Sequence, residues 1–282
     1  MEWINDANVL IVGLGLIGGS YARALKRLGY HVLAMDKDPE AINYALEEKI
    51  IDEGAVDDSL ITKADCLILA LYPSIVTDWV RTYQHLFKSH VIITDVTGIK
   101  SAIVSDVQEI LREDAEFIAA HPMAGREVYG VKNSDDRIFR DANYIVVPTD
   151  KNTEKAIHWC KNLGRILGFQ RISELTPKEH DSMIAYVSQL THCIAVALMT
   201  CDDNEKLRDY TGDSFRDLTR IARINEDMWT ELFFMNREPL LDRIDSFIGE
   251  MESIRELIAK EDAEGLKEKM RLSTKRRLLF DK

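Results

Sequence analysis

The chain has 282 residues, of which 46% are hydrophobic and 30% are charged, and its formal net charge at pH 7 is −12. A chain of this length and composition forms one large or two ordinary globular domains with a buried core. The acidic balance argues against nucleic acids and anionic membranes as partners, because both are bound by positively charged protein surfaces. An anionic small molecule is compatible with it, since local charge in a pocket can oppose the net charge.

Disulfides, metals and export are not indicated by the sequence. Zinc-ligand spacing is absent around the four cysteines, which are Cys66, Cys160, Cys193 and Cys201. We predict free thiols in a reducing cytoplasm and no metal site. The first residues, MEWINDANV, are acidic where a signal peptide is basic. We also expect no membrane span, on the interpretation that no uncharged apolar run reaches the ~18 residues that a span needs.

Six short apolar runs in the first half are typical of strands that are buried on both faces of a parallel sheet. These runs are NVLIVG, HVLAM, CLILAL, VIITDV, EFIAA and YIVVP, which start at residues 8, 31, 66, 91, 116 and 144. Amphipathic helical patterns such as SYARALKRLG separate them. Alternating strands and helices predict an α/β fold with an N-terminal Rossmann-type doubly wound sheet.

Helical patterns dominate after Pro148, where FQRI (Phe169–Ile172) is the one further strand candidate. The stretch TPKE, beginning at Thr176, predicts a helix start with a threonine cap, proline in the first position and glutamate three residues after the cap. We therefore predict a Rossmann domain over residues 1–150 and an all-helical domain over residues 151–282. The helical segments are rich enough in Leu, Ile, Phe and Met to bury a partner subunit as well.

The segment GLGLIGGS follows the first strand run and opens the first helix. It contains Gly13-x-Gly15-x-x-Gly18, in which the glycines allow a tight turn, a close approach to a pyrophosphate and close packing of helix on strand. The pyrophosphate would lie at the positive end of the helix. This context predicts a dinucleotide site. The other contacts that we predict for the cofactor are Leu16, Ile17, Tyr72 and Pro73.

Asp36 ends the second strand run, about 20 residues after the glycines, where an acid accepts the ribose hydroxyls of a dinucleotide. Its carboxylate would repel a 2′-phosphate, which favours NAD over NADP. A turn residue before Pro39 is the alternative interpretation.

The segment FIAAHPMAGREVYG raises the question of why a buried strand ends on a histidine followed by proline. Ligands of open α/β sheets bind outside the carboxyl ends of the strands, so His121 would face the bound nicotinamide. A histidine with a pKa near 6.5 can take a proton from a hydroxyl at neutral pH. From the residues alone, a histidine that caps the strand explains the pattern equally well.

Three motifs together resemble the prephenate dehydrogenase family over essentially the whole chain. They are HPMAG-x-E-x-x-G from His121, FRDLTRIA from Phe215, and Met228-Trp229. The resemblance implies an NAD-dependent oxidoreductase of tyrosine biosynthesis that converts prephenate to 4-hydroxyphenylpyruvate by oxidative decarboxylation. It also implies a homodimer formed through the helical domain.

The resemblance also assigns roles to residues. His121 matches the catalytic histidine, which takes the proton of the ring hydroxyl while NAD⁺ accepts hydride, and Arg220 matches the arginine that holds a substrate carboxylate. From spacing alone, Arg220 would instead form a surface ion pair with Asp217. The other implied substrate-site residues are Ser188, Gln189, His192, Asp217, Trp229 and Gly125.

Two positions depart from the family pattern. Relatives often carry serine in D-x-x-S-x-K, but here Gly98 takes the serine's place, and Thr97 could supply the hydroxyl only if the loop bends differently. Relatives often have SHLPH where this chain has SQLTH, so that Gln189 replaces the first histidine. The role of the serine hydroxyl is therefore open in this chain.

Substrate choice and function class keep alternatives. Arogenate carries an ammonium where prephenate has a keto group, and no acid lies between Ala185 and Thr200 to bind it, which favours prephenate. Asp213 or Asp217 could supply that acid, so arogenate (cyclohexadienyl) dehydrogenase is the alternative. A Rossmann-type hydroxy-acid dehydrogenase would place a lysine on the comparable helix, and none is present between Met183 and Thr200. A non-catalytic NAD-binding module would bind cofactor without turnover.

Overall fold

The computed structural model describes residues 7–280, which divide between Asn236 and Arg237 into two compact units. The segment MEWIND, on which most of the signal-peptide interpretation rests, lies outside the described residues.

Six parallel strands form the main sheet of the first unit, in the order β3-β2-β1-β4-β5-β6. Their bounds are Asn8–Val12 (β1), His31–Met35 (β2), Glu53–Ala55 (β3), Cys66–Leu69 (β4), Ile92–Asp95 (β5) and Glu116–Phe117 (β6). The chain runs outward from β1 to β3 and then returns to the other side of β1. This reversal between β1 and β4 is the switch point at which doubly wound sheets bind their ligands.

Helices cover both faces of this sheet. Val9 and Ile11 of β1 belong to one apolar core, and Leu10 and Val12 belong to the other, because successive side chains of a strand point to opposite faces. Burying one such side chain stabilises the fold by about 1.5–3 kcal/mol. The helices are Leu16–Arg27 (α1), Pro39–Glu47 (α2), Pro73–Tyr83 (α3), Ser101–Ile110 (α4) and Glu154–Leu167 (α5). The predicted α/β class and Rossmann-type sheet are confirmed.

A second, three-stranded sheet corrects part of the strand prediction. It consists of Ala119–Met123 (β7), Asn143–Val147 (β8) and Arg171–Glu174 (β9), with β7 antiparallel and β9 parallel to β8. The run EFIAA is divided between β6 and β7, because the Ala120 N–H bonds to the carboxylate of Asp95 instead of to a strand carbonyl. The run YIVVP forms β8 in this sheet and not in the parallel sheet. The run FQRI overlaps β9, and the short β3 was missed.

One long helix follows the second sheet. It comprises Pro177–Ile184 (α6), a π-helical turn at Ala185–Gln189 and Leu190–Thr200 (α7). The predicted capping box is present, since Glu179 N donates to Thr176 Oγ1 and Thr176 N donates to Glu179 Oε2. π-Turns occur often at functional sites, because they reorient the side chains that follow.

This helix corrects the expectation about membrane spans. Residues 177–200 form a helix of 24 residues with a window of mean hydropathy 1.5, which is long and apolar enough to cross a membrane by length and composition alone. The helix also contains His180, Asp181 and Gln189, which are buried and hydrogen-bonded to other elements of the same compact unit.

The remaining helices are Asp213–Thr219 (α8) and Glu226–Met235 (α9) in the first unit, and Arg237–Ala259 (α10) and Ala263–Arg277 (α11) in the second. Asp262 caps α11, and Lys269 Nζ lies 2.5 Å from Glu250 Oε2, which ties α11 to α10. Short 3₁₀ turns occur at Asp58–Lys63, Gln84–Leu86, Val131–Asn133, Asp136–Phe139, Glu205–Asp209, Arg220–Ala222 and Leu278–Phe280.

Candidate active site

The glycine-rich turn has the geometry of a dinucleotide site. Gly13 has φ +96°, and a Cβ there would lie 2.4 Å from the carbonyl oxygen of Ala70. A Cβ on Gly18 would lie 1.9 Å from the carbonyl oxygen of Gly13, so that only glycine lets α1 pack this closely on β1. A Cβ on Gly15 would meet no atom within 4 Å. The space above Gly15 is therefore open to a ligand.

The other predicted cofactor residues surround this turn at the carboxyl ends of β1, β2 and β4. Leu16 and Ile17 form the first turn of α1, and no side chain caps that helix, which leaves its positive end to an anion. Asp36 accepts hydrogen bonds from Leu14 N at 2.5 Å and from Asp38 N at 2.9 Å. Tyr72 and Pro73 begin α3 directly after β4. The residues present fit a dinucleotide.

His121 belongs to a chain of three hydrogen-bonded side chains. Its Nδ1 lies 2.9 Å from Nε2 of His180, and Nδ1 of His180 lies 2.8 Å from Oδ1 of Asp181. Asp181 also accepts hydrogen bonds from Lys100 N at 2.9 Å and Ser101 N at 2.8 Å. These hydrogen bonds therefore connect β7 to the start of α4 through helix α6.

A buried ion pair lies close to this chain. Lys100 Nζ is 2.6 Å from Asp95 Oδ2 and 3.0 Å from Thr97 Oγ1, and both Lys100 and Asp95 are fully buried. Thr97 Oγ1 also contacts Asp95 Oδ2 and lies 2.9 Å from the Ile99 carbonyl oxygen. The hydroxyl of Thr97 is thus part of the ion-pair cluster, and its contact with the substrate stays a prediction.

The surroundings keep the histidines neutral. Burial, His180 and Lys100 together hold the pKa of His121 well below its usual range. Burial and the charge of Lys100 lower the pKa of His180, although Asp181 opposes them. Burial raises the pKa of Asp181, but hydrogen bonds from His180, Ser101 and Lys100 outweigh it and lower that pKa overall. At neutral pH the arrangement is therefore two neutral imidazoles and one carboxylate.

Gly98 lies against His121, where relatives often carry a serine. A Cβ at this position would be 3.4 Å from Leu232 Cδ2 and 3.9 Å from His121 Cε1. These are ordinary van der Waals distances, so a serine would fit. Gly98 offers no hydroxyl to the site.

His192 and Trp229 stack with their ring centroids 3.6 Å apart. Nδ1 of His192 lies 2.9 Å from the carbonyl oxygen of Ser188, in the π-turn, and must be protonated there because a carbonyl only accepts. Burial lowers the pKa of His192. The imidazole is then neutral and leaves Nε2 as a hydrogen-bond acceptor.

Arg220 pairs with Glu127, which lies in the loop after β7. The alternative of an ion pair with Asp217 is wrong for this structure, in which Asp217 is exposed on α8. Both Arg220 and Glu127 act electrostatically on His192. The arginine is therefore brought to the loop that follows β7, and Gly125 is an exposed residue of that loop.

The side chain of Gln189 is buried. It is 1% exposed, its Nε2 donates to the carbonyl oxygen of Leu232 at 2.9 Å, and its Oε1 accepts from Asn236 Nδ2 at 2.7 Å. Gln189 thus forms a buried amide pair with Asn236, which follows α9, and its contact with the substrate stays a prediction. Its backbone neighbour Ser188 is partly exposed.

Sequence reasoning missed His180, Asp181 and the pairing of Glu127. The only signal for the first two was an adjacent histidine and acid in the first turns of an apolar helix, a pattern that many surface helices share. Among residues 7–280, no group of three or more His, Cys, Asp or Glu side chains could hold a metal ion.

A Rossmann-type nucleotide-binding turn, together with a partly buried histidine and an arginine paired to the loop after β7, is typical of a dinucleotide-dependent dehydrogenase. The family model for the nucleotide-binding domain of prephenate dehydrogenase matches residues 21–170, and the model for the prephenate dehydrogenase dimerization domain matches residues 176–272. The chain belongs to the prephenate dehydrogenase family. The predicted family, its function at that level and its class as an NAD-dependent oxidoreductase are thereby confirmed.

Individual relatives agree with the family models. The chain is 32% identical to a prephenate dehydrogenase of Bacillus subtilis, over 92% of this chain and 72% of the relative. It is 28% identical to a cyclohexadienyl dehydrogenase of Zymomonas mobilis, over 96% and 95%. The crystal structure of Aquifex aeolicus prephenate dehydrogenase in complex with hydroxyphenyl propionate and NAD⁺ superimposes with TM-score 0.91 at 29% identity, over 99% of this chain and 100% of that one.

The glycine turn generates a matched pair of variants. Gly15→Ala should fold with an unchanged melting temperature, because its Cβ meets no atom, but it should weaken NAD binding by roughly tenfold or more since the methyl group intrudes on the ligand's space. Gly18→Ala should lower the melting temperature, because its Cβ overlaps the Gly13 carbonyl. Thermal unfolding and NAD titration measure both effects, and equal NAD affinity in Gly15→Ala and wild type would contradict the assignment.

The low pKa of His121 predicts the pH profile. Protonation inactivates a base, and burial makes protonation harder, so kcat/KM should stay level as the pH falls through about 6.5, the usual histidine value, and drop only below it. The measurement is a pH series of initial rates, with His121→Asn as the control that should lose this dependence. Loss of half of kcat/KM already at pH 6.5 would contradict the prediction.

Proposed function

We propose that the chain oxidatively decarboxylates prephenate to 4-hydroxyphenylpyruvate, with NAD as cofactor and His121 as the base. The observation that carries this proposal is His121, partly buried on β7 and 2.9 Å from His180, with Arg220 paired to Glu127 in the loop that follows β7. The Aquifex aeolicus relative, solved with NAD⁺ and an aromatic hydroxyphenyl ligand, supports both the cofactor and the substrate class.

The cofactor would be held by the chain's own residues at the switch point. Its pyrophosphate would lie over Gly15 and the first turn of α1, and Asp36 would accept the ribose hydroxyls, whereas a 2′-phosphate would meet its negative charge. When bound, NAD supplies the acceptor for the hydride that the substrate ring loses.

Each residue of the site would have its own role in the reaction. His121 takes the proton of the ring hydroxyl: the O–H bond breaks and an N–H bond forms on the imidazole. Arg220 binds a substrate carboxylate, for which its planar fork is better suited than a lysine. The ring carboxylate leaves as CO₂, and aromatisation of the ring favours the products. Trp229 and His192 would form the wall opposite, with Ser188 and Gly125 at its edges.

A direct activity assay tests this proposal. Wild-type protein mixed with NAD and prephenate should produce NADH absorbance and 4-hydroxyphenylpyruvate. His121→Asn keeps a polar side chain of smaller size but lacks the base, so kcat should fall by roughly 10²–10⁴-fold with NAD affinity nearly unchanged. The control is NAD titration of the variant. If folded wild-type protein that binds NAD produced no NADH from prephenate, the proposed substrate would be wrong.

Arg220 and Glu127 provide a second test. Arg220→Ala should raise KM for prephenate by roughly 10- to 100-fold, because a charge-assisted hydrogen bond worth about 1.5–3 kcal/mol is lost. Glu127→Gln removes the competing carboxylate from Arg220, so KM for prephenate should stay level or fall. Steady-state kinetics at constant ionic strength measure both, and an unaltered KM in Arg220→Ala would place the arginine outside the site.

Glu127 also favours a second candidate substrate. It is an acid that faces both Arg220 and His192, and it could bind the ammonium of arogenate, for which neither Asp213 nor Asp217 is then needed. The similarity to the Zymomonas cyclohexadienyl dehydrogenase is consistent with use of both substrates. Glu127→Gln separates the two possibilities, since it should raise KM only for arogenate.

Assembly and domain division belong to the same proposal. The region matched by the dimerization-domain model exposes large apolar side chains on α10 and α11, among them Met251, Ile258, Met270 and Leu272. We infer a homodimer through the helical segments, whose solution mass would be twice that of the chain. The predicted boundary at residue 150 stays a prediction, although α5 and β9 pack with β8. The cytoplasmic location is likewise proposed.

A further inference from the structure

We propose that His180 and Asp181 are positioning residues, which hold His121 in the tautomer whose Nε2 is unprotonated and available to the substrate. The inference rests on the proposed role of His121 as the base. It adds two residues to which neither the motifs nor the comparisons assign a role.

The direction of the hydrogen bonds among His121, His180 and Asp181 is set at Asp181. Both carboxylate oxygens already accept backbone N–H groups, Oδ1 from Lys100 and Oδ2 from Ser101. These donors stabilise the ionised form, which has no proton to donate. In the 2.8 Å contact with Oδ1, Nδ1 of His180 must therefore carry the hydrogen.

The direction of the hydrogen bond between His121 and His180 follows from that of the bond between His180 and Asp181. A neutral imidazole has one donor and one acceptor, so His180 with a protonated Nδ1 presents Nε2 as an acceptor. In the 2.9 Å contact, Nδ1 of His121 is then the donor. A neutral His121 with its hydrogen on Nδ1 leaves the lone pair on Nε2. The opposite polarity would need a protonated carboxyl at Asp181.

The charged groups around the two imidazoles act together. Asp181 comes from α6, Lys100 from the start of α4 and Asp95 from β5, and Asp95 is held by Lys100 Nζ, by Thr97 and by Ala120 N. The positive charge of Lys100 disfavours protonation of either imidazole, in agreement with the lowered pKa of both histidines. Asp181 stabilises the imidazolium that forms when Nε2 of His121 takes the substrate proton. No proton needs to move beyond His121.

The direct experiment is NMR of the full-length protein with ¹⁵N-labelled imidazoles near neutral pH. The signals of His121, assigned by their loss in His121→Asn, should show a protonated Nδ1 and an unprotonated Nε2. A protonated Nε2 in the resting protein would overturn the proposal. The measurement does not depend on turnover, so a protein with this tautomer that fails to oxidise prephenate would refute the proposed function and not the tautomer.

Kinetics of two variants separate positioning from mere packing. His180→Leu removes both hydrogen bonds and should lower kcat roughly 10²-fold or more, while KM for prephenate and NAD affinity stay within about twofold. His180→Gln can donate to Asp181 with its nitrogen and accept from His121 with its oxygen, so it should recover kcat to within about tenfold of wild type.

His31→Leu is the matched control. His31 is a partly buried histidine whose Nδ1 lies 2.9 Å from Asn8 Oδ1. It lies at the amino end of β2, whereas the candidate site lies at the carboxyl ends of the strands. Its kcat should not change. If His180→Leu retained wild-type kcat, or if both His180 variants were equally impaired with equally raised KM, the positioning role would be wrong. Should His180→Leu fail to fold, the tautomer measurement and the Gln variant still decide the question.

Discussion

Lys100 and Asp95 form a fully buried ion pair, with 2.6 Å between Nζ and Oδ2, and the candidate site is built around it. Removing ions from water costs several kcal/mol each, and breaking such a pair by deleting one partner costs about 3–5 kcal/mol. The pair is maintained because Asp95 uses both oxygens, accepting also from Thr97 N and Ala120 N. The bond to Ala120 lies where the chain leaves the parallel sheet and enters β7.

That departure determines where His121 lies. Had the strand after Phe117 continued beside β5, His121 would have been one more residue of a parallel ladder. Instead β7 pairs with β8, and the imidazole reaches His180 on the following long helix. Burial holds the pKa of His121 below its usual range, and the charges of His180 and Lys100 act in the same direction. The ion pair therefore fixes the backbone at the start of β7 and contributes to the lowered pKa of the histidine.

Much of the fold was predictable, because local patterns carry it. Continuous apolar runs are required for strands buried on both faces, and five of the six runs each form one strand, whereas EFIAA is divided between β6 and β7. The glycine spacing required a particular turn, which the positive φ of Gly13 and the overlap at Gly18 explain. The short β3 and the pairing of β8 with β7 were not predictable in this way, since a three-residue strand has no period and an apolar run does not encode its neighbour.

The candidate site was only half accessible to the same reasoning. The family motifs pointed to His121, Arg220 and His192, each by a distinctive local sequence. They gave no sign that the side chains of Thr97 and Gln189 belong to a buried ion-pair cluster and a buried amide pair. His180 and Asp181 have no distinctive local pattern, and their importance depends on a histidine about sixty residues away in sequence that only the folded chain brings within hydrogen-bond distance.

By itself, the sequence determined the class of fold, the glycine turn of the nucleotide-binding domain and the family to which the chain belongs. These properties reside in contiguous stretches, whose spacing and residue types act through local backbone geometry and strand burial. The tertiary structure alone decided that Arg220 pairs with Glu127, that the chain leaves the parallel sheet before β7, and that His121 lies within hydrogen-bond distance of His180. Those features depend on groups far apart in the chain, and hydrogen-bond polarity and desolvation act only once folding has placed such groups in contact.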